Sequence, residues 1–291
     1  MAKTLSVYNK IISLRKRYYE SLEGKASLVD IISEAEVAEQ VYNSNAIENS
    51  TLSLEETEKI LLKIDLDRFI SEREIFEAKN LARVVSYINK KAKDKELTLD
   101  MILFLHKMLI SNIRDEIAGR FRNKNEFVRV GSHIAPNPKE VVSRLEKMLV
   151  EYNANNHENI IKRIARLHLT FEHTHPFCDG NGRIGRVINN YLLIREGFVP
   201  INIKFIDRNK YYEAFREFDH KGETIVMEEI VGKALTNSYY KRLAYLEGKK
   251  IVTLSEYAKK KKLSHSDMIN KANRQTIEAF LEKGVWKIGV K

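Results

Sequence analysis

Helix breakers are nearly missing from the first 118 residues of this chain: Gly24 is the only glycine before Gly119, and the first proline is Pro136. A stretch that long, rich in Leu, Ile, Glu, Lys and Ala, is predicted to be helical. Its residues enter a helix at little cost, and almost nothing in it interrupts one. Helix starts are marked by caps. Ser53 followed by Glu56 is a capping box ahead of an apolar-periodic run. A further helix is expected roughly from Ser71 to Lys91, and another from near Leu99. With 43% hydrophobic and 31% charged residues, the composition is that of a globular chain with a core rather than a disordered one. No apolar run has the length of a membrane span. The N-terminal residues lack the pattern of a secretory signal. The single cysteine, Cys178, allows no intrachain disulfide and suggests no zinc pattern. A cytoplasmic, reducing compartment is expected.

The texture changes between Ala118 and Pro138. Two glycines, two prolines and the alternating Phe127-Val128-Arg129-Val130 read there as a loop and a short β-hairpin inserted into a helical protein. Helical spacing then returns. Ile160, Ile164, Leu167 and Phe171 form one apolar stripe, and Pro176 ends that helix at or before the preceding residue. A new helix is predicted from about Asn181, with Ile184, Val187, Ile188, Tyr191 and Leu192 on one face and Gly197 as its stop.

Between those two helices lies HTHPFCDGNGRIGR, residues 173 to 186. Glycines 180 and 182 let backbone N–H groups converge, and the start of a helix adds partial positive charge to the same place, which makes an anion site. Arg183 and Arg186, three residues apart, share a face beside it, and a guanidinium fork suits phosphate oxygens. Asp179 would repel an anion there unless a cation such as Mg²⁺ lay between them. His175 has the basicity to accept a proton from a hydroxyl nucleophile. Together the parts suit phosphoryl or nucleotidyl transfer. Two other readings stay open at this level. One is an ordinary structural turn with a solvated arginine face; the other is a zinc or iron site using His168, His173 and His175 with an aspartate.

The residues HPFCDGNGRIGR resemble the signature of the Fic family, His-x-Phe-x-Asp/Glu-Gly-Asn-Gly-Arg-x-x-Arg, at all eight of its defined positions. The resemblance implies a mainly α-helical core carrying a β-hairpin flap, and an enzyme that moves AMP from ATP to a Ser, Thr or Tyr hydroxyl of a target protein. By that resemblance His175 deprotonates the hydroxyl, Phe177 anchors the loop in the core and Asp179 binds Mg²⁺. Gly180, Asn181 and Gly182 hold the phosphates, and Arg183 and Arg186 stabilise them. Cys178 falls at a variable position and reads as a small buried filler. FVRVGSHIAPNP is similar to the family's flap, which pairs with an extended stretch of the target; Val128, Arg129, Val130, Gly131, Ser132 and His133 are its expected contacts. Gly119 and Arg122 resemble the Gly-x-x-Arg ahead of it. DRNKYYEAF resembles the adenine-pocket segment, with Tyr212 as the base contact and Tyr211 packing. Asp219 stands where some relatives carry an asparagine.

NSNAIENS, residues 43 to 50, resembles the family's inhibitory motif Ser/Thr-x-x-x-Glu-Gly/Asn in the class with an N-terminal inhibitory helix. The resemblance implies that Ser44 and Glu48 face the phosphate site, with Glu48 pairing with Arg186 and taking the space of the ATP γ-phosphate. In some relatives the same glutamate supports AMP removal.

From Ile251 to Lys291 there are nine Lys or Arg against four Asp or Glu, about half of the chain's net charge of +10. Thr253 with Glu256, and Ser264 with Asp267, predict two helix starts in that tail. A third helical run is expected to end at Gly284, and VWKIGV alternates like a strand. Such a tail suggests a winged helix-turn-helix. The expected organisation is an N-terminal helical region over 1–95 carrying the inhibitory helix, a catalytic core over 96–247 and the basic module over 248–291. ATP and Mg²⁺ are the expected substrate and ion, and the expected partner is a protein target, with self-modification and a homodimer open. The competing readings are a DNA-binding regulator acting through the basic tail, and a Fic enzyme transferring another phosphate-containing group.

Overall fold

The computed structural model describes residues 2–130 and 133–290, without the side chains of residues 2–5. Among the described residues ten α-helices precede the basic tail: α1 (Ala2–Glu20), α2 (Ala26–Ile47), α3 (Leu54–Leu62), α4 (Glu72–Lys91), α5 (Leu99–Ile110), α6 (Val141–Ala154), α7 (Ile160–Thr174), α8 (Asn181–Arg195), α9 (Arg208–Lys221) and α10 (Ile225–Leu246). Between α5 and α6 a hairpin is formed by β1 (Arg129–Val130) and β2 (His133–Ile134). The tail adds β3 (Lys250–Thr253), α11 (Leu254–Lys261), α12 (His265–Asn273), β4 (Ala279–Glu282) and β5 (Val285–Val290). The chain divides into two compact units, residues 37–231 and residues 1–36 with 232–291.

In the larger unit the predicted capping box at Ser53 is in place, and two further caps accompany it. Ser53 and Glu56 close a reciprocal capping box on α3, and Ser71 and Thr98 accept the first-turn N–H groups of α4 and α5. Each such cap is worth about 1 kcal/mol. Helix α8 is the central element, packed by α4, α5 and α7. Thirteen of its fifteen residues are buried, so the single apolar face expected from its spacing is corrected to burial on nearly every side. The polar residues this encloses are partly answered by backbone: Asn190 donates to the Ile201 carbonyl and accepts from the Ile201 N–H, at 2.9 and 2.8 Å. That pairing offsets the few kcal/mol that a bare buried amide would cost.

The hairpin is shorter than expected. Phe127 and Val128 precede β1, whose two residues pair antiparallel with β2, Arg129 opposite Ile134 and Val130 opposite His133. Val128 still takes part, accepting from the Ala135 N–H at 3.0 Å. Gly131 and Ser132, expected flap contacts, lie outside the described residues.

In the smaller unit, β3, β5 and β4 form an antiparallel sheet in that order, over a core of Leu254, Ala258, Met268, Ala272, Ala279 and Ile288. Thr253 with Glu256 makes a full capping box, and Ser264 caps α12. The third helical run expected before Gly284 is a strand instead. Lys283 and Gly284 both take positive φ, 50° and 77°, between paired Glu282 and Val285. Two consecutive left-handed residues make the tight hairpin turn that matches strand twist, and that turn fixes β4 against β5. Among the described residues no helix is long and apolar enough to cross a membrane.

Candidate functional site

The loop from His175 to Gly180 joins α7 to α8, and the larger unit holds it from three directions. His175 ends α7 in a left-handed conformation, φ 46°, its N–H still donating to the Phe171 carbonyl at 2.9 Å. Pro176, which has no N–H, follows and stops the helix there. Arg122 fastens the turn from outside. Its guanidinium donates to the carbonyls of His175 at 2.7 Å, Glu126 at 2.9 Å and Pro136 at 3.0 Å, and its own N–H donates to the Pro176 carbonyl at 2.9 Å. Loop and hairpin base are thus tied by one buried side chain, which gives the Gly119/Arg122 pair a physical role.

Phe177 is fully buried and stacks on His106 with ring centroids 3.7 Å apart and planes within 6°. His106 accepts from the Gly119 N–H at 3.0 Å through Nδ1, so its Nε2 carries the proton donated to the Asp179 carbonyl at 3.1 Å. Burial lowers its pKa to about 4, and it serves as a neutral strut. Sequence reasoning missed His106, whose residue type alone, on the apolar run LFLHKML, carries no sign of a loop contact. Asn181 also differs from expectation. Its side chain accepts from the Phe177 N–H and donates to the Phe177 carbonyl, both at 2.8 Å. The amide shapes the loop and is not turned toward the start of α8.

The two arginines part company. Arg183, buried, pairs with Glu77 and Asp179, each at 3.1 Å. The other oxygen of Asp179 is held by Arg73 at 2.8 Å. Arg73 and Glu77, both on α4, were not found by sequence reasoning because they approach the loop only through the tertiary fold. Arg186 turns toward α2 and Tyr211. It donates to the Ser44 hydroxyl at 2.9 Å, the Ser44 carbonyl at 2.8 Å, Glu48 Oε1 at 2.9 Å and the Tyr211 hydroxyl at 3.1 Å. The Glu48 carboxylate also lies over the first turn of α8: a Cβ built on Gly182 would fall 2.1 Å from Glu48 Oε1. Tyr211 does more than pack, because its hydroxyl links Arg186 to His168, 2.7 Å away. Tyr212 donates to the Ile47 carbonyl at the end of α2 at 3.1 Å.

A cleft of about 330 Å³ opens beside these groups, lined among others by Glu48, Glu172, His175, Gly182 and Tyr212. That volume is at the small end for a ligand site, and Glu48 reaches into it. Burial lowers the His175 pKa to about 4 and that of His168 to about 3. Burial, with Glu48 nearby, pushes Glu172 up to about 8. The zinc or iron reading of His168, His173 and His175 is not supported, since His168 is bonded to Tyr211 and His175 caps α7. Cys178 is partly exposed rather than buried filler.

These shifts set a stability profile. Between about pH 4 and 6.5 the unfolded chain protonates His106, His168 and His175 while the folded chain does not, so stability falls as pH drops through that window. Glu172 acts in reverse. Folded it keeps its proton up to about 8, unfolded it ionises above 4.5, so its share of stability is lost as pH rises. Above 6.5 its opposing effect remains, at roughly 1.4 kcal/mol per pH unit. Glu172→Gln should therefore abolish a decline of roughly 2 kcal/mol between pH 6.5 and 8. Thermal unfolding of both proteins across that range measures it; parallel curves would mean that Glu172 is ionised in the folded chain.

A helical scaffold closes a buried, aromatic-anchored loop onto a helix N-terminus, with a histidine at its mouth, an arrangement suited to an anion beside a base. Residues 96–193 match the model of the Fic/DOC family. Protein adenylyltransferase Fic from Nematostella vectensis is 30% identical over 223 residues, 73% of this chain and 50% of that protein. The Drosophila melanogaster protein of the same name is 31% identical over 229 residues, 72% of this chain and 45% of that protein. This chain thus spans about half the length of the curated relatives it matches. Among solved structures, Fic-1 from C. elegans has a TM-score of 0.72 at 26% identity, covering 83% of this chain and 72% of that one. A Fic domain containing signaling protein from Bacteroides thetaiotaomicron has a TM-score of 0.74 at 22% identity, covering 82% and 97%. Residues 96–193 therefore form a Fic-family domain.

Proposed function

We propose that this protein transfers AMP from ATP to a hydroxyl side chain of a protein target and is held inactive in cis by Glu48. The observation that carries the reading is the shared placement of His175, Gly182 in the first turn of α8 and Glu48 around one cleft, with Arg186 behind Glu48 and bonded to its carboxylate at 2.9 Å. The relatives named protein adenylyltransferase support the choice of group. In the reaction, the target hydroxyl oxygen attacks the α-phosphorus of ATP. The bond to the β-phosphate breaks, pyrophosphate leaves, and His175 accepts the hydroxyl proton. The α8 N-terminus and Arg186 hold the phosphates, and Tyr211 and His168 steady Arg186. The hairpin lies at the rim, where an extended target segment would add to its edge.

Asp179 is the residue that would hold Mg²⁺. It is a hard carboxylate donor beside the phosphate site, and magnesium commonly takes one or two carboxylates plus phosphate oxygens. The ion would supply charge neutralisation on the phosphates. Both Asp179 oxygens are engaged by guanidinium groups here, so Arg73, the more exposed partner, is the group that yields. Arg73→Ala should therefore tighten Mg²⁺ binding by up to about fivefold, the worth of an exposed pair. Titration of nucleotide-loaded protein with Mg²⁺ reads this, and unchanged affinity would mean that Arg73 does not compete.

The test of the function is transfer from ATP labelled at the α- or the γ-phosphate, with Glu48→Gly protein and cell lysate. AMP transfer leaves α-label and no γ-label on protein, whereas γ-label would reveal phosphate transfer. Intact mass of the chain itself reports self-modification in the same experiment. We further propose that the tail is a winged helix-turn-helix. The order β3-α11-α12-β4-β5 supports this, with Lys259 to Lys262 exposed at the end of α11. A salt-dependent gel shift tests whether it binds DNA. The setting proposed, on the single cysteine, is a reducing cytoplasm.

A further inference from the structure

We propose that His133, His173 and Asp219 form a binding site for a zinc-type divalent transition-metal ion at the rim of the cleft, separate from Asp179. The three residues come from three elements, β2, α7 and α9, and one ligand atom of each lies within 4.8 Å of the others. Two imidazoles and a carboxylate favour a transition metal over magnesium or calcium, which prefer all-oxygen sites.

The hydrogen bonding prepares the set. His133 Nε2 lies 2.9 Å from the His173 carbonyl, which can only accept, so Nε2 carries a proton, and in the neutral ring Nδ1 keeps its lone pair. That lone pair faces Asp219 Oδ2 at 3.6 Å. A lone pair pointed at a carboxylate oxygen is unfavourable unless something positive lies between them. A histidine whose distal N–H is fixed on a backbone carbonyl is also the usual arrangement of a metal ligand. Two ligand atoms on tetrahedral zinc stand roughly 3.3 Å apart, close to the gap between His133 and Asp219.

On the other side, His173 Nδ1 lies 2.8 Å from Asp219 Oδ1. There the metal replaces the shared proton, which leaves to solvent, and the pair widens by roughly half an ångström. Asp219, where the sequence departs from the asparagine of some relatives, supplies the negative charge that an amide would not. Because His133 belongs to the hairpin and Asp219 to α9, the ion ties the flap to the helix opposite it. Only that consequence rests on the proposed transfer activity; the site itself does not.

The experiment is titration of the full chain with Zn²⁺ by calorimetry, and with Co²⁺ by visible absorption. One ion per chain is expected to bind, and His133→Ala, His173→Ala and Asp219→Ala should each weaken binding tenfold or more. Asp179→Ala should leave it unchanged. Histidine-ring resonances of the wild-type chain provide a readout that needs no variant: two histidines should shift with the bound fraction. Absence of saturable binding overturns the proposal. So does binding that survives all three substitutions, or binding that depends on Asp179.

Discussion

Replacing Glu48 with glycine should raise AMP transfer at least tenfold and up to about a hundredfold. The carboxylate holds two positions that a nucleotide phosphate needs. It accepts from Arg186 at 2.9 Å, and it lies over Gly182 at the start of α8, where free N–H groups and the helix dipole favour an anion. A phosphate entering there must displace a charge-assisted hydrogen bond, worth roughly 1.5–3 kcal/mol. Converted at 1.4 kcal/mol per tenfold, that range gives the expected increase. Glycine removes the carboxylate without touching Ser44, whose hydroxyl and carbonyl keep Arg186 oriented. The measurement is initial transfer rate together with ATP affinity for both proteins. Tighter ATP binding with no gain in transfer would mean that Glu48 blocks binding but not the productive pose. Unchanged values for both, in a folded variant, would remove the autoinhibition reading.

How much of this could be read from the sequence differs from residue to residue. The α7–loop–α8 turn was legible because its signals are local: Pro176 must stop a helix and Gly180, at φ 81°, accepts a conformation other residues resist. Glu48 was legible because Ser44 and Glu48 lie four apart near the end of one helix, and the arginine that both meet stands in a recognisable motif. The tail strand β4 was misread for a related reason. Its residues suit a helix, and the deciding features are a two-residue turn and pairing with β5, which periodicity over so few residues does not separate. Arg73, Glu77, His106 and Glu172 were not legible at all. Each reaches the site through packing of α4, α5 or α7 against α8, and nothing in its neighbours along the chain marks it. Arg183 and Asn181 were assigned to phosphate by motif, yet the fold turns their side chains to Asp179 and Phe177.

In the Glu48→Gly background, His175→Ala should lower transfer by a hundredfold to ten-thousandfold, the usual worth of a positioned general base. ATP affinity should hold, because the phosphate contacts proposed here are on the first turn of α8 and on Arg186. The pH dependence carries the sharper consequence. A histidine with an ordinary pKa of 6.5 would be largely protonated at pH 5.5, and transfer there would be about tenfold below its value at pH 7.5. Burial holds His175 near 4, so its neutral, proton-accepting form persists to lower pH. Transfer at pH 5.5 should then stay within about twofold of that at pH 7.5, falling only as the pH passes 4. The folded state weakens in the same acid window, through His106 and His168 as well as His175. Initial rates therefore have to be paired with circular dichroism at each pH. A tenfold loss at pH 5.5 with the fold intact would mean that releasing Glu48 opens His175 to water. The low basicity would then belong to the inhibited state, and the brake would act on the base as well as on the phosphate site.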